Sequence, residues 1–316
     1  MTSNYVSNLG IKDWQPERLP DLTGKLFVIT GGNSGIGAEA ARVLGERGAD
    51  LILACRSPQK AETARARLAK TIRGKVDLVT LDLSDLASIR DAAALVRTLA
   101  PKIDGLINNA GIMQTPEMKT RDGFELQFGT NHLGHFLWTS LLIDLVEAAS
   151  GRVVQISSIA HRVGRINFGD LMFRSGYTPT KAYGQSKLAN LMFALELDRR
   201  LAEAGSPASA IACHPGYSNT NLQSTGPTGF LHALYGPLNS LIAQPKERGA
   251  IPTLLAAAGV EAKRGAYYGP TGFLGMSGPV SDAHVASHAL KKEDWKALWQ
   301  ASETLLDITF LPTPQA

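Results

Sequence analysis

One stretch decides the fold of this chain: residues 26–37 read LFVITGGNSGIG. Its first five residues form an apolar run without polar alternation, which is typical of a strand buried on both faces. A glycine-rich turn follows, and from Gly35 to Arg47 the apolar residues have helical spacing. Glycine permits a positive φ and a close approach of the backbone to an anion, and the start of a helix presents unpaired N–H groups. The stretch therefore predicts a pyrophosphate-binding turn, with an ordinary tight turn as the alternative.

The same alternation of apolar runs and longer amphipathic segments continues along the chain. Further apolar runs cover residues 51–55, 76–81, 103–107, 153–156 and 208–213. Segments with helical character cover residues 35–47, 59–72, 86–99, 124–149 and 181–203. This order predicts a single doubly wound α/β domain of the Rossmann type, in which a mostly parallel sheet of about seven strands carries helices on both faces.

The ends of the chain and one internal segment do not follow this alternation of apolar runs and amphipathic segments. We expect residues 1–22 to form an N-terminal arm, residues 23–305 the nucleotide-binding domain, and residues 306–316 a tail. Residues 216–244 are rich in glycine and proline among apolar residues. An insertion of this kind after a strand is typical of a lid over a binding site.

Composition excludes several classes of protein. The chain has 316 residues, of which 44% are hydrophobic, and its formal net charge is only +4, unlike that of a disordered chain. Its two cysteines are isolated, which excludes a disulfide scaffold. The basic residues are scattered, so we expect no nucleic-acid partner. We find neither a secretory signal in residues 1–24 nor an apolar stretch of the roughly 18 residues that a membrane span needs, so we expect a cytoplasmic protein.

Two motifs together resemble those of the short-chain dehydrogenase/reductase family. The turn has the spacing T-G-x-x-x-G-x-G from Thr30 to Gly37, and Asn-Asn-Ala-Gly follows the fourth run at residues 108–111. The resemblance covers residues 23–270 and implies an oxidoreductase with a nicotinamide cofactor. By resemblance, the residues that bind the cofactor are Gly31, Asn33, Ser34, Gly35, Ile36, Gly37, Asp82, Leu83, Asn109, Ala110, Gly111, Pro215, Gly216 and Thr220.

The residue after the second run indicates which cofactor is used. An acidic side chain there would bind the ribose 2′-hydroxyl group and favour NAD. This chain has Arg56 instead, whose planar and permanent cation suits a 2′-phosphate. We therefore predict NADP(H), with a solvent-facing loop arginine as the alternative.

Tyr183 and Lys187 are candidates for the catalytic group. They are four residues apart in a predicted helix, which places them on one face. A nearby ammonium favours the phenolate, so we expect Lys187 to lower the pKa of Tyr183 and allow it to exchange a proton with a substrate oxygen. In the family, both residues also contact the cofactor. The resemblance adds Ser158, which would bind the same oxygen, and Asn131, which would hold a water next to the lysine.

The segment between Ser158 and Tyr183 is longer than is common in the family, and it resembles the retinol-dehydrogenase-like and WW-domain-oxidoreductase-like branch. That branch implies NADP(H)-dependent conversion of lipophilic carbonyl compounds and alcohols. An apolar wall for a small hydrophobic substrate is expected from Met113, Tyr177, Tyr217, Phe230 and Phe273.

Other readings of the sequence remain open. A C=C reductase of the protochlorophyllide-reductase type and a non-catalytic NADPH-binding regulator are the alternatives to a carbonyl reductase. We expect no metal, because none of His132, His135, His161 and His214 has paired ligand spacing with carboxylates or cysteines, and hydride transfer requires no metal. His214 is better explained as a structural histidine before a turn. Symmetric association is usual for soluble enzymes, so we expect a homo-oligomer, a dimer or tetramer. The resemblance offers residues 124–149 and 181–203 as candidate interfaces.

Overall fold

The centre of the computed structural model, which describes residues 6, 10–217 and 244–311, is one eight-stranded sheet. Its strands are β1 Leu26–Thr30, β2 Asp50–Cys55, β3 Val76–Thr80, β4 Gly105–Asn108, β5 Arg152–Ile156, β6 Ser209–Cys213, β7 Tyr267–Pro270 and β8 Val280–Asp282. Their order across the sheet is β3-β2-β1-β4-β5-β6-β7-β8, and every neighbouring pair is parallel except the antiparallel pair β7–β8. The prediction of a doubly wound, mostly parallel sheet is confirmed.

The central strands are apolar on both faces because helices cover both faces. Val28 and Ile29 are adjacent in β1 and fully buried, yet they belong to different hydrophobic clusters on opposite sides of the sheet. Successive side chains of a strand point to opposite faces, so a strand covered on both sides needs a continuous apolar run. This explains why the six apolar runs in the sequence correspond to β1–β6, whereas β7 and β8, with the sequences YYGP and VSD, contain no such run and were not predicted as strands.

The helices are α1 Gly35–Glu46, α2 Pro58–Leu68, α3 Leu86–Leu99, α4 Leu126–Phe128, α5 Gly134–Ser140, α6 Ile143–Ala148, α7 Pro179–Glu203, α8 Lys246–Ala258 and α9 Lys292–Leu306. None of these helices is long and apolar enough to cross a bilayer. Short 3₁₀ turns lie at Pro16–Arg18, Ile159–Arg162, Phe273–Gly275 and Ser287–Leu290.

The prediction of one continuous helix over residues 124–149 is wrong. A π-helical turn, Gly129–Leu133, separates α4 from α5, and a non-helical Leu142 separates α5 from α6. The start of α5 packs directly on the loop after β3, because a Cβ atom at Gly134 would lie 2.5 Å from the carbonyl oxygen of Leu83. A π turn adds a residue to the helical ladder and so changes the direction in which the following side chains point.

The described parts of the predicted arm and tail pack on the domain. Trp14 is fully buried, its backbone N–H donates to the Val280 carbonyl at 2.9 Å, and its indole Nε1 donates to Glu261 at 2.9 Å. Phe310 stacks on Trp299 of α9 with 4.9 Å between ring centres. The division into arm, domain and tail stays a prediction.

Helix α9 covers much of the surface that we expected to be free for self-association. The ring of Trp299 lies 4.9 Å from that of Phe136 in α5 and 5.8 Å from that of Phe193 in α7, and both phenylalanines are buried. The guanidinium of Arg200 lies over the Trp299 ring at 4.4 Å. Association through these parts of α5 and α7 would therefore require α9 to detach first.

We predict that Trp299→Ala lowers the free energy of unfolding by about 3–5 kcal/mol, because it leaves a cavity among aromatic rings. Urea denaturation would measure the loss. The matched control is Gln300→Ala, at the exposed neighbouring position of α9, which should change stability little. Equal effects of the two substitutions would show that α9 does not contribute through this aromatic packing.

Candidate functional site

The predicted phosphate-binding turn leaves the carboxyl end of β1 and leads into α1. Gly31 and Gly35 both have positive φ, at 66° and 55°. A Cβ atom at Gly37 would lie 2.4 Å from the side-chain nitrogen of Asn109, so only glycine fits where this helix meets the next motif. Ser34 is the N-cap of α1 but makes no side-chain hydrogen bond to the helix. The first N–H groups of α1 thus remain available to an anion.

Hydrogen bonds from Thr30 tie this turn to the second motif. The backbone N–H groups of Asn109 and Ala110 donate to the Thr30 hydroxyl at 2.9 and 3.0 Å. The side-chain amide of Asn109 donates to the Thr30 carbonyl at 2.8 Å. Strands β1 and β4 are neighbours, and the chain leaves them toward opposite flanks of the sheet. A crevice at this position is where ligands bind in open α/β folds.

The residues predicted to select the cofactor lie at neighbouring strand ends. Arg56 is exposed and directly follows Cys55, whose thiol accepts backbone hydrogen bonds from Gly32 and Asn33 beneath the turn. Burial raises the pKa of this thiol to about 11. Asp82 follows β3, and one of its carboxylate oxygens accepts from both the backbone N–H and the hydroxyl of Ser84. Arg56 and Asp82 therefore lie at one end of the crevice.

Helix α7 brings Tyr183 and Lys187 to the other end. The Lys187 ammonium lies 5.9 Å from the centre of the Tyr183 ring and donates to the Ile156 carbonyl at 3.2 Å. A Cβ atom at Gly111 would lie 3.1 Å from the Asn131 side-chain oxygen and 3.4 Å from the Lys187 nitrogen. Gly111 of the second motif therefore lies next to both Asn131 and Lys187.

Asn131 and the two serines complete the arrangement. Asn131 exchanges two hydrogen bonds with the main chain of Ile112, at 2.8 and 2.9 Å. The Ser158 side chain hydrogen-bonds the Tyr183 side chain, whereas the Ser157 hydroxyl donates to the Lys187 carbonyl at 2.7 Å. The structure brings together the four residues predicted as catalytic, and their roles stay a prediction.

The ionisation of this group differs from our expectation. Burial raises the pKa of the Tyr183 phenol, and the hydrogen bond from Ser158 opposes this only in part. Burial also lowers the pKa of Lys187, which is 4% exposed, to about 8. Burial is the larger of the two effects on Tyr183, so the pKa of its phenol lies above the usual value, not below it as we expected.

The predicted substrate residues have different surroundings. Phe273 is 75% exposed on its 3₁₀ turn, and Met113 is half-buried in the loop after the second motif. The Tyr177 hydroxyl donates to the Thr115 carbonyl at 2.8 Å and accepts from Gln127 at 3.1 Å, so its polar end fastens that loop.

The loop at Pro215 and Gly216 is held by hydrogen bonds to His214 and to the segment after β7. The backbone N–H of Gly216 donates to the His214 ring at 3.2 Å, and that of Tyr217 donates to the Met276 carbonyl at 2.8 Å. Thr220, Phe230 and most of the predicted lid, residues 218–243, lie outside the described residues.

Three residues at the site were not predicted to contribute. Thr30 was recognised only as part of a motif, and His135 and His161 were considered only as metal ligands and excluded. Both histidines are buried and hydrogen-bond the main-chain carbonyls of Asn131 and Ser158, respectively. Their spacing from these residues, four and three positions, was the available signal. Within the described ranges, no group of three histidine, cysteine or acidic side chains could hold a metal ion.

Comparison with known proteins gives consistent matches. The family described as short chain dehydrogenase matches residues 25–228. Retinol dehydrogenase 12 of Mus musculus is 42% identical over 291 residues, which cover 91% of this chain and 88% of that protein. The crystal structure of an uncharacterized protein from Mycobacterium paratuberculosis is 42% identical, with a TM-score of 0.79 over 94% of this chain and 99% of that chain. RhlG of Pseudomonas aeruginosa, solved as an NADP active-site complex, is 25% identical, with a TM-score of 0.61 over 80% of this chain and 96% of that chain.

We predict that Lys187→Met stabilises the folded chain at neutral pH. The pKa of Lys187 is about 8 in the folded chain against 10.5 for an ordinary lysine, so burying the ammonium costs about 3 kcal/mol below pH 8. Between about pH 8 and pH 10.5 the unfolded chain binds a proton that the folded chain does not, and the cost therefore fades as the pH rises.

Urea denaturation at about pH 7 and about pH 10 measures this effect. We expect Lys187→Met to raise the free energy of unfolding by about 1–3 kcal/mol at the lower pH and by less at the higher pH, because Met removes the charge but also the bond to Ile156. Lys181→Met, at an exposed position of α7, is the control. An advantage of Lys187→Met that does not shrink at high pH would contradict the assigned cause.

Proposed function

Because the chain belongs to the short-chain dehydrogenase/reductase family of oxidoreductases, we propose that it transfers hydride between NADP(H) and a bulky lipophilic carbonyl compound or the corresponding alcohol. The observation that carries the proposal is the meeting of Asn131, Lys187 and Gly111 next to the Ser158–Tyr183 hydrogen bond. This group lies at the carboxyl edge of the sheet, in the same crevice as the glycine-rich turn.

The residues present fit a dinucleotide. The open N-terminus of α1 and the glycine-rich turn form a cradle of backbone groups, with positive φ at Gly31 and Gly35 and no room for a Cβ atom at Gly37. These backbone groups would hold the pyrophosphate, and Asp82 and Leu83 would adjoin the adenosine. The Asn109–Gly111 segment, Pro215 and Gly216 would hold the other half of the cofactor. When bound, the nicotinamide supplies or accepts the hydride.

Tyr183 is the group proposed to move the proton. Its raised pKa keeps the phenol protonated at neutral pH, which suits donation to a carbonyl oxygen as that oxygen gains negative charge. Ser158 hydrogen-bonds the phenol and would hold the same substrate oxygen. We therefore propose that Tyr183 donates the proton during carbonyl reduction, with Lys187 close enough to replace that proton through solvent.

Arg56 supports NADP(H) over NAD(H). Its exposed guanidinium follows β2 at the position where an acid would select the ribose hydroxyl. RhlG, which shares the fold, was solved with NADP. For the substrate, apolar side chains such as Met113 and the exposed Phe273 favour a lipophilic molecule. The names of the relatives point to retinoids, which belong to this chemical class.

We predict that Tyr183→Phe lowers kcat for reduction of long-chain or ring-containing aldehydes by at least about a hundredfold, because general acid catalysis contributes a factor of that order. NADPH oxidation followed at saturating cofactor measures kcat. NADPH affinity, measured by fluorescence titration, should remain near that of the wild type and serves as the control for folding.

Turnover of aldehydes, ketones, quinones and compounds with conjugated C=C bonds tests the two alternative functions. Tight NADPH binding by the wild type without turnover of any aldehyde, ketone or quinone would favour a non-catalytic regulator. Reduction of conjugated C=C bonds in preference to carbonyl groups would favour a C=C reductase. Either outcome would overturn the proposed activity.

We predict that Arg56→Asp weakens NADPH binding by about one to two orders of magnitude and NADH binding much less, since it removes a charge-assisted bond to the 2′-phosphate and adds repulsion. Equilibrium titration of both cofactors against the wild type measures the ratio. The control is Arg67→Asp, which makes the same charge change in α2 without lying at a strand end. Equal losses for both cofactors in Arg56→Asp would reject Arg56 as the selecting residue.

A further inference from the structure

We infer that His135 and His161 are a pair of positioning residues, each of which fixes the main chain of one catalytic residue and joins it to a distant part of the fold. This inference rests on the proposed function of Asn131 and Ser158. Each histidine lies a few positions after the residue that it would position. Both rings are fully buried.

The hydrogen bonds of His135 have only one consistent set of proton positions. Its Nδ1 atom lies 3.0 Å from the carbonyl oxygen of Asn131, and a carbonyl only accepts, so Nδ1 carries the proton. Burial lowers the pKa of His135 to about 4, so the ring is neutral at physiological pH and Nε2 has a free lone pair. The Thr30 hydroxyl therefore donates to Nε2, which at 2.9 Å is closer than its other acceptor, the Ile107 carbonyl at 3.4 Å.

This assignment also satisfies Thr30 completely. A hydroxyl has one proton to donate and two lone pairs with which to accept. Thr30 donates to His135 and accepts from the N–H groups of Asn109 and Ala110. One imidazole thus connects the proposed cofactor segment to the π turn that carries Asn131.

His161 makes an equivalent pair of bonds at the proposed catalytic serine, and the Tyr267 hydroxyl also lies 3.3 Å from its Nδ1 atom. Its Nδ1 atom lies 2.7 Å from the Ser158 carbonyl and must donate to it. Its Nε2 atom accepts the backbone N–H of Ala286 at 3.3 Å, and burial lowers the pKa of this ring to about 4. The ring packs edge-on against Tyr267 of β7 with 5.4 Å between ring centres. The Ser158 turn is therefore held by the segment after β8, remote in sequence.

His132 provides an internal contrast. It follows Asn131 directly and is buried, but its Nε2 atom lies 2.8 Å from the hydroxyl of Ser302 in α9. That hydroxyl donates to the Leu298 carbonyl, so Nε2 of His132 must carry the proton. His132 therefore has the opposite tautomer and joins the π turn to α9, with no bond to the carbonyl of a catalytic residue.

Histidine tautomers test the hydrogen bonds directly and do not depend on turnover. Long-range ¹H–¹⁵N spectra of the intact protein at neutral pH, assigned with single His→Gln variants, should show Nδ1-protonated neutral rings for His135 and His161. His132 should show an Nε2-protonated ring. An Nε2-protonated His135 or His161, or a charged one, would overturn the inference.

Amide substitutions separate the two bonds of each ring. Asn places its amide near the position of Nδ1, and Gln reaches the position of Nε2. His135→Gln and His161→Gln should lower kcat by about tenfold to a hundredfold with little change in substrate KM, because the carbonyl of the catalytic residue loses its donor and the reacting groups shift. His135→Asn and His161→Asn keep that donor and should recover most of kcat.

His132→Gln is the matched control, since it disturbs an equally buried histidine of the same π turn and should retain the kcat of the wild type. Normal kcat in both Gln variants at positions 135 and 161, or an equal loss in His132→Gln, would refute positioning while leaving the proposed function intact. Absence of turnover in the wild type would refute the proposed function, and the positioning role with it. If the Gln variants do not fold, the tautomers measured in the wild-type protein decide whether the inference holds.

Discussion

The hydroxyl of Thr30 is the interaction on which the geometry of the crevice depends. It lies at the end of β1 and accepts the main-chain N–H groups of Asn109 and Ala110 at the end of β4. Parallel strands leave backbone groups unpaired where they end, and these must find partners when they are buried. Thr30 satisfies two of them and holds the glycine-rich turn against the segment that reaches Gly111. The proposed cofactor cradle and the point where Lys187 and Asn131 meet therefore share one rigid frame.

The second property of this site is that its ionisable groups are buried away from water, which has an energetic cost. Desolvation lowers the pKa of Lys187 and raises that of Tyr183. The same burial keeps His135 and His161 neutral, which allows each ring to donate at one nitrogen and accept at the other. Greater exposure to water would lower the free-energy cost of a charged Lys187, but it would weaken the hydrogen bonds of the two histidines. The aromatic packing of Trp299 on α5 and α7 belongs to the stabilisation that offsets this cost.

Prediction from the sequence succeeded where a structural feature is encoded locally and failed where it depends on distant contacts. The strands β1–β6 were predicted because burial on both faces requires unbroken apolar runs. The continuous helix over residues 124–149 was wrong because its periodicity does not reveal the π turn or the contact of Gly134 with Leu83. The short β7, with sequence YYGP, has no such run. The direction of the Tyr183 pKa was missed because helical spacing from Lys187 says nothing about desolvation.

By itself the sequence determined the class of fold and the site of the glycine-rich turn, since periodicity and glycine positions act on local backbone angles, whereas Asn131 and Ser158 came from the resemblance to a known family. Only the tertiary structure decided how those residues are charged and held. The pKa of Lys187 reflects burial by the whole fold. The partners of His135 and His161, Thr30 and Ala286, are 105 and 125 residues away along the chain. Desolvation and long-range hydrogen bonds exist only when the chain is folded, so no local pattern encodes them.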